Sequence, residues 1–191
     1  MQIDLCNKLV DNNLTKEDLL ERVEIRKTSI EDLVQICKTL AKAFDLSCDA
    51  EAYQQLCQSK ALLEDSVKLV DKESGEIYGL LMFCECPIKF GSPISFVEKE
   101  LSEYLDRYVQ VNGHSFIIDE RLRGTNLDKK MLFFNIKFLR DNYDFIWIGV
   151  ERDLKTHGYW KRLGFVDVFE IPEAVFYLIP LSKKMIKEYL L

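Results

Sequence analysis

The sequence predicts an α/β fold in which a mixed sheet carries helices on both faces. Three observations support this. Short apolar runs bounded by turn residues alternate along the chain with segments of 3.6-residue apolar period. Their order is strand, helix, helix, two strands, helix, strand, helix, strand, helix, two strands, which is a layered arrangement. The 191 residues, 48% of them hydrophobic, are enough for one well-buried domain and short for two.

Thr15 opens TKED, with Asp18 three residues on, a capping pattern that predicts a helix to Arg22. Val23 to Arg26 is a short strand, and Ser29 then begins SIEDLVQICKTLAKAF, whose apolar positions Ile30, Leu33, Ile36, Cys37, Leu40, Ala41 and Phe44 define one helical face. Residues 49 to 64 are predicted helical. Val67 to Val70 and Ile77 to Cys86 form a hairpin across the turn KESGE. Beyond Pro87 to Pro93, residues 94 to 111 have helical periodicity, which Asn112 and Gly113 end. His114 to Glu120 is the next strand and residues 127 to 141 the next helix, on which Phe133, Phe134 and Phe138 are expected to pack against the sheet. Phe145 to Val150 reads as a buried strand. Leu154 to Leu163 is a short helix that Gly164 ends in a left-handed conformation. Strands at Phe165 to Ile171 and Ala174 to Leu181 follow, then a small basic helix from Ser182 to Leu191. Residues 1–22 are thus an N-terminal helical extension, 23–181 the domain, and 182–191 a terminal helix.

The formal charge of −6, from 26 Lys+Arg against 32 Asp+Glu, argues against a protein that binds nucleic acid or anionic membrane with its whole surface. No apolar stretch approaches the ~18 residues that span a bilayer, and no signal-peptide pattern opens the chain. The expectation is a cytoplasmic protein. Its six cysteines then read as reduced, buried core thiols, because Cys84 and Cys86 have no second pair at metal-ligand spacing and no metal site is expected. The Ala174 to Leu181 strand, read as an exposed edge, offers a pairing surface for a homodimer.

Against this acidic background, residues 121–140 hold six bases (Arg121, Arg123, Lys129, Lys130, Lys137, Arg140) and one acid, Asp128. Within this window RGTNLDKKML lies between a strand and a helix, the order that aims unpaired helix N–H groups at a phosphate. A solvated helix face would have the same composition.

Taken together, the element order and three segments resemble the GNAT superfamily of acyl-coenzyme A dependent N-acyltransferases. The segments are VEIRKTSIEDL at 23–33, IIDERLRGTNLDKKML at 117–132 and DLKTHGYWKRLGF at 153–165. The resemblance implies a mixed, mostly antiparallel central sheet and acetyl transfer from acetyl-CoA to a primary amine of a small molecule or protein, without metal. It places pantetheine on Ile118, Asp119 and Glu120, in a splay between the fourth and fifth strands. The pyrophosphate falls on Leu122, Arg123, Gly124, Thr125, Asn126, Leu127 and Asp128, with Trp160 beside the cofactor. The chain departs from the family pattern at three places. Asn126 and Asp128 stand where the loop usually has small residues, Trp160 stands where a tyrosine general acid is frequent, and Asp153 replaces the usual asparagine that begins the closing helix. Asn tolerates a left-handed backbone. A carboxylate at Asp128 would instead occupy the helix N-terminus itself.

Three groups are candidates for catalysis. Glu120 and Glu151 follow core strands, where a carboxylate can take a proton from an incoming ammonium. Tyr159, next to Trp160, can serve a leaving thiolate in its place if the helix is rotated or the backbone shifted, since neighbouring helical residues point about 100° apart. His157 is expected to pack or cap, and neither it nor His114 lies at a spacing that suggests a nucleophile. The reading is an N-acyltransferase. Its rivals are a GNAT-fold binding or regulatory module that has lost catalysis, and an acyltransferase with a different donor or a moved acid, whose acceptor site residues 94 to 111 would wall.

Overall fold

The computed structural model describes residues 15–59, 61–85, 103, 105–172 and 174–183. The predicted helix over 182–191 falls almost wholly outside these residues, as do Cys6, Cys86 and most of the predicted helix over 94–111.

Seven strands form one sheet: β1 (Val23–Lys27), β2 (Ala61–Asp71), β3 (Ile77–Cys84), β4 (Gln110–Ile118), β5 (Phe145–Glu151), β6 (Val166–Glu170) and β7 (Ala174–Pro180). Their order is β1-β2-β3-β4-β5-β7-β6. Only β4 and β5 pair in parallel, across the crossover helix; every other neighbour is antiparallel. The mixed, mostly antiparallel sheet expected from the sequence is therefore present. The Ala174 strand, however, is not an edge: β7 lies between β5 and β6, because its register with β5 uses all seven residues. The edges are β1 and β6.

Helices α2 (Leu33–Ala43) and α3 (Asp49–Ser59) cover one face, packing Ile36, Leu40, Ala52 and Leu56 on Leu80 and Met82. Helix α4 (Leu127–Leu139) covers the other, with Met131, Leu132 and Leu139 among Leu69, Leu81, Phe83, Val111 and Ile146. Helix α1 (Lys16–Arg22) adds Leu19, wholly buried in that second core, and begins with the expected Thr15–Asp18 capping box. Full burial of one such side chain contributes about 1.5–3 kcal/mol.

Several boundaries differ from the sequence reading, each for a local reason. Helix α3 stops at Ser59 and the chain is already a strand at Ala61, so residues 61–64 are not helical. A bulge between Leu62 and Val67 disrupts the alternation that would have shown the whole of β2. There Ser66 accepts the Phe83 N–H (3.0 Å) and donates to Leu62 O (2.6 Å). The strand β4 starts at Gln110, so Asn112 and Gly113 lie inside a strand and end no helix. Phe133 and Phe138 are 51% and 45% exposed, leaving only Phe134 of that aromatic set against the core. Cys37 and Cys84 are buried, but Cys48 and Cys57 are exposed, against the expectation of core thiols.

Candidate functional site

Strand β4 parts from β5 halfway along. They pair only at Gln110–Phe145, Val111–Ile146 and Asn112–Trp147. The cause lies in β4 itself. Ser115 pairs with Met82 and Gly113 with Phe83, so His114 is an extra, bulged residue that bends the strand. Gly113 allows the approach of β5 at this point, since a Cβ there would lie 2.6 Å from Ile148 Cγ2. Beyond it, residues 114–118 and 148–151 bound the open splay that the resemblance predicted.

At the end of β4 the chain turns through a short 3-10 helix, Glu120–Leu122, which Asp119 caps by accepting the Arg121 N–H (3.0 Å). Gly124 (φ +75°) and Asn126 (φ 62°) then take left-handed conformations, and α4 begins at Leu127. Asn126 lends no side-chain cap. Lys130 is the first residue whose amide closes a turn, on Asn126 O (3.0 Å), so the amides of Leu127, Asp128 and Lys129 leave the helix end without an intrahelical acceptor. Space is open where a Gly124 Cβ would stand. Thr125 Oγ1 donates to Leu122 O (2.6 Å), and Lys16 Nζ donates to Arg123 O (2.9 Å), tying α1 to the turn. Leu122 and Leu127 are core side chains, at 0% and 8% exposure, so only their backbone can meet a ligand.

Beside this turn a groove of roughly 930 Å³ runs between α2 and the end of β4. Lys38 and Lys42 line it from α2, Glu76 and Tyr78 from the start of β3, and Ile117 to Arg121 with Arg123 from β4 and the turn. Arg121 holds Asp119 in a two-pronged ion pair (2.9 and 3.0 Å) and lies over the Tyr78 ring, 5.3 Å from its centroid. The Arg121 hydrogen bond keeps the Asp119 carboxyl below its ordinary range. Arg123 and the two lysines remain to attract an anion.

The three catalytic candidates have different surroundings. Glu120 and Glu151 are both exposed, Glu120 on the groove wall and Glu151 at the far end of β5. Tyr159 is half-buried on α5 (His157–Arg162), within one aromatic cluster: Phe116 lies 6.3 Å from Tyr159 and 5.7 Å from Trp160, and the two neighbours are 5.3 Å apart. The Tyr159 hydroxyl is out of contact with solvent and makes no well-aligned hydrogen bond. Burial, and after it the Asp128 carboxylate facing the hydroxyl, raise its pKa well above that of a free phenol. Asp128, half-buried, therefore looks toward Tyr159 as well as toward its helix end. Trp160 edges onto Phe165 (5.4 Å).

Asp153 does not cap α5, which starts four residues later with Thr156 at the capping position. His157 fastens this turn, as expected of a packing histidine. Its Nε2 donates to the Glu151 and Arg152 carbonyls (3.1 Å each), so Nδ1 accepts from the Tyr177 hydroxyl (2.9 Å). Gly164 ends the helix at φ +95°.

Sequence reasoning missed Lys16, Lys38 and Lys42, because lysines on a polar helix face look the same whether or not a turn lies opposite. It also missed the bulge at His114 that bends β4. The signal was present in Asn-Gly-His, a turn-like triplet inside an apolar run, which is how a bulge reads. Among the described residues no three His, Cys, Asp or Glu side chains gather as for a metal, and no helix is long and apolar enough to cross a membrane.

No family model and no curated protein sequence matches the chain. Solved structures do. The GNAT family N-acetyltransferase YhbS from Escherichia coli, in complex with CoA, superposes with a TM-score of 0.59 at 20% identity, over 85% of this chain and 83% of its own. The ribosomal-protein-S18-alanine N-acetyltransferase from Escherichia coli gives 0.56 at 12%, over 84% and 94%. Ard1 from Thermoplasma volcanium gives 0.56 at 17%, over 84% and 98%. The fold is that of the GNAT N-acetyltransferases.

Proposed function

We propose that this protein is an N-acyltransferase that moves an acetyl group from acetyl-CoA to a primary amine. One observation carries the reading: the splay of β4 from β5 opens directly onto a helix start whose first amides lack a side-chain cap. An extended thioester arm fits the former, where unpaired strand edges offer hydrogen bonds, and a pyrophosphate fits the latter. The YhbS complex with CoA shows that this fold accepts the ligand in that protein.

In this reading Ile118, Asp119 and Glu120 flank the pantetheine, and the backbone of residues 122–128 holds the pyrophosphate. Arg123, Lys129 and Lys130 contribute charge, and Trp160 packs beside the arm through Phe116. The splayed β4 backbone polarises the thioester carbonyl. Tyr159 donates a hydrogen bond to the departing sulfur. A free phenol ionises near pH 10 and a thiol near about 8.5. With its own pKa raised further, Tyr159 steadies the thiolate without surrendering its proton, and solvent protonates the sulfur. The exposed carboxylates of Glu120 and Glu151 act on the amine only through water.

Asp128 is the test of the reading. Calorimetric titration with acetyl-CoA should show binding by the wild-type protein, at a Kd of roughly 1–100 μM, or about −8 to −5.5 kcal/mol. Asp128→Gly should tighten it by removing a carboxylate near the phosphates. No heat from the wild type with binding restored in Asp128→Gly would sink the enzyme reading in favour of a binding or regulatory module.

A further inference from the structure

The groove between α2 and the end of β4 divides its charges by wall. Gln35, Lys38, Thr39 and Lys42 recur every three or four residues, so they form one stripe of α2 along the groove, with two bases and no acid. The facing wall holds three acids, Glu76, Asp119 and Glu120, and two bases, Arg121 and Arg123. Four bases against three acids reverse, within this groove, the acidic balance of the chain. Arg121 is committed to both oxygens of Asp119 (2.9 and 3.0 Å), with Glu76 also near it. The two lysines are uncommitted. Both are exposed and neither has an ion pair among the described residues, although four residues apart on a helix they repel one another. Lys42 is in the last turn of α2, where a cation complements the helix end; Lys38 lies a turn earlier and has no such compensation. Arg121 first, and Lys42 at longer range, hold the Asp119 carboxyl below its ordinary range, so the two walls sense each other across the groove. A concave site of roughly 930 Å³ suits a small organic molecule. Cations on one wall and an excess of carboxylates on the other suit a molecule that is negative at one end and positive at the other.

We propose that the groove selects a primary amine whose far end carries a carboxylate, as an ω-amino acid does, with the carboxylate seated on Lys38 and Lys42. Because the opposite charges of the groove stand on opposite walls, amine and carboxylate must be several bonds apart. An α-amino acid, with both groups on one carbon, cannot reach both walls. The acyltransferase reading above is the premise for what happens at the amine end. Ile118, Asp119 and Glu120, which that reading puts beside the pantetheine, also line the groove, so a molecule that spans it brings its nitrogen towards the thioester. The ammonium first loses one proton to water. The amine nitrogen then bonds to the acetyl carbon, and the carbon–sulfur bond breaks with its electron pair on sulfur. The acylated nitrogen gives its proton to water and the thiolate takes one from solvent. The carboxylate takes no part in bond making, so Lys38 and Lys42 determine specificity and are felt in KM for the acceptor, not in kcat.

The probes are 6-aminohexanoate, its neutral amide 6-aminohexanamide, and L-norleucine, an isomer of the first with both charges at one end. With acetyl-CoA as donor, thiol release should show kcat/KM for 6-aminohexanoate about tenfold above that for either of the others, a preference that fades as salt rises from about 0.02 to 0.5 M. Lys38→Met combined with Lys42→Met should bring 6-aminohexanoate down to the amide, through KM, while the amide and the Kd for acetyl-CoA stay as in the wild type. Lys38→Arg combined with Lys42→Arg should keep most of the preference, because charge carries it. Binding is read apart from turnover in the methyl spectrum of the isoleucines, where Ile117, on the groove wall, is assigned with Ile117→Val. There 6-aminohexanoate should shift the Ile117 signal saturably, and the amide about tenfold more weakly. If this binding preference is seen but no amine releases thiol from acetyl-CoA, the groove stands and acyl transfer falls. If thiol is released but the three amines act alike, or the Met pair slows all three equally or leaves the preference intact, the groove is overturned and acyl transfer stands. Neither preference nor thiol release overturns both.

Discussion

At the scale of single residues, Asp128 changes meaning once its surroundings are known. Sequence alone sets it against the phosphates, because a first-turn carboxylate favours its own helix end. In the fold it also faces the Tyr159 hydroxyl and, after burial, is what raises the pKa of that phenol. A phenol that must stay protonated can sit in an apolar aromatic cluster without the usual cost of a buried ion. This yields a prediction that separates function from stability. The hydroxyl has neither solvent nor a well-aligned partner, so Tyr159→Phe should leave the unfolding free energy within about 1 kcal/mol of wild type. Thiol release from acetyl-CoA, followed over a panel of amines, should fall by roughly ten- to a hundredfold in the same variant. A marked loss of stability with unchanged turnover would instead make Tyr159 a packing residue.

At the scale of elements, β4 determines the site, and its bulge is the feature that sets the splay. Gly113→Ala tests this directly. The new Cβ would stand 2.6 Å from Ile148 Cγ2, a branched side chain with little freedom to move. The variant should lose about 1–3 kcal/mol, seen as a thermal midpoint lower by roughly 2–12 °C. Combined with Ile148→Ala, the loss should be smaller than the sum of the two single losses, because the second change deletes the clashing methyl. Additivity would show that Gly113 is conserving something other than room for Ile148. The same strand shows what could and could not be read beforehand. The amphipathic face of α2, the Thr15 box, the hairpin turn at 72–76 and the left-handed Gly164 follow local rules and were legible. The bulges in β2 and β4 were not, because each breaks the two-residue period on which strand recognition rests, and their residues are explained only by partners on β3. The splay was legible only through the resemblance to the GNAT superfamily. The pairing of Asn112 with Trp147, the approach of Lys16 to Arg123, and Asp128 facing Tyr159 join residues about 30 to 110 positions apart in sequence, and no local pattern encodes them.

At the scale of the whole molecule, the ionisable groups predict how stability responds to acid. Burial holds His114 below the ordinary imidazole value of about 6.5. The unfolded chain therefore binds a proton there that the folded chain refuses, and stability must fall as pH drops from about 6.5 towards the folded pKa. One such proton gives at most about 1.4 kcal/mol per pH unit. A second decline starts near pH 4. Burial pushes the Asp71 carboxyl up, but the Ser74 amide, the Arg22 guanidinium (2.9 and 3.1 Å) and the Glu73 amide outweigh it, and its pKa ends below the usual carboxylate range. Asp119, held down by Arg121, behaves likewise. For both, stability is complete above the unfolded pKa of about 3.9 and is lost as pH falls through the folded value. Urea unfolding between pH 8 and 3 should thus show a plateau, a shallow decline beginning below pH 6.5, and a steeper one below pH 4. His114→Asn should flatten only the first decline, and Arg22→Met should weaken the second. If wild-type stability stays level from pH 6.5 to 5, His114 takes up its proton as readily folded as unfolded, and the bulge does not desolvate its imidazole.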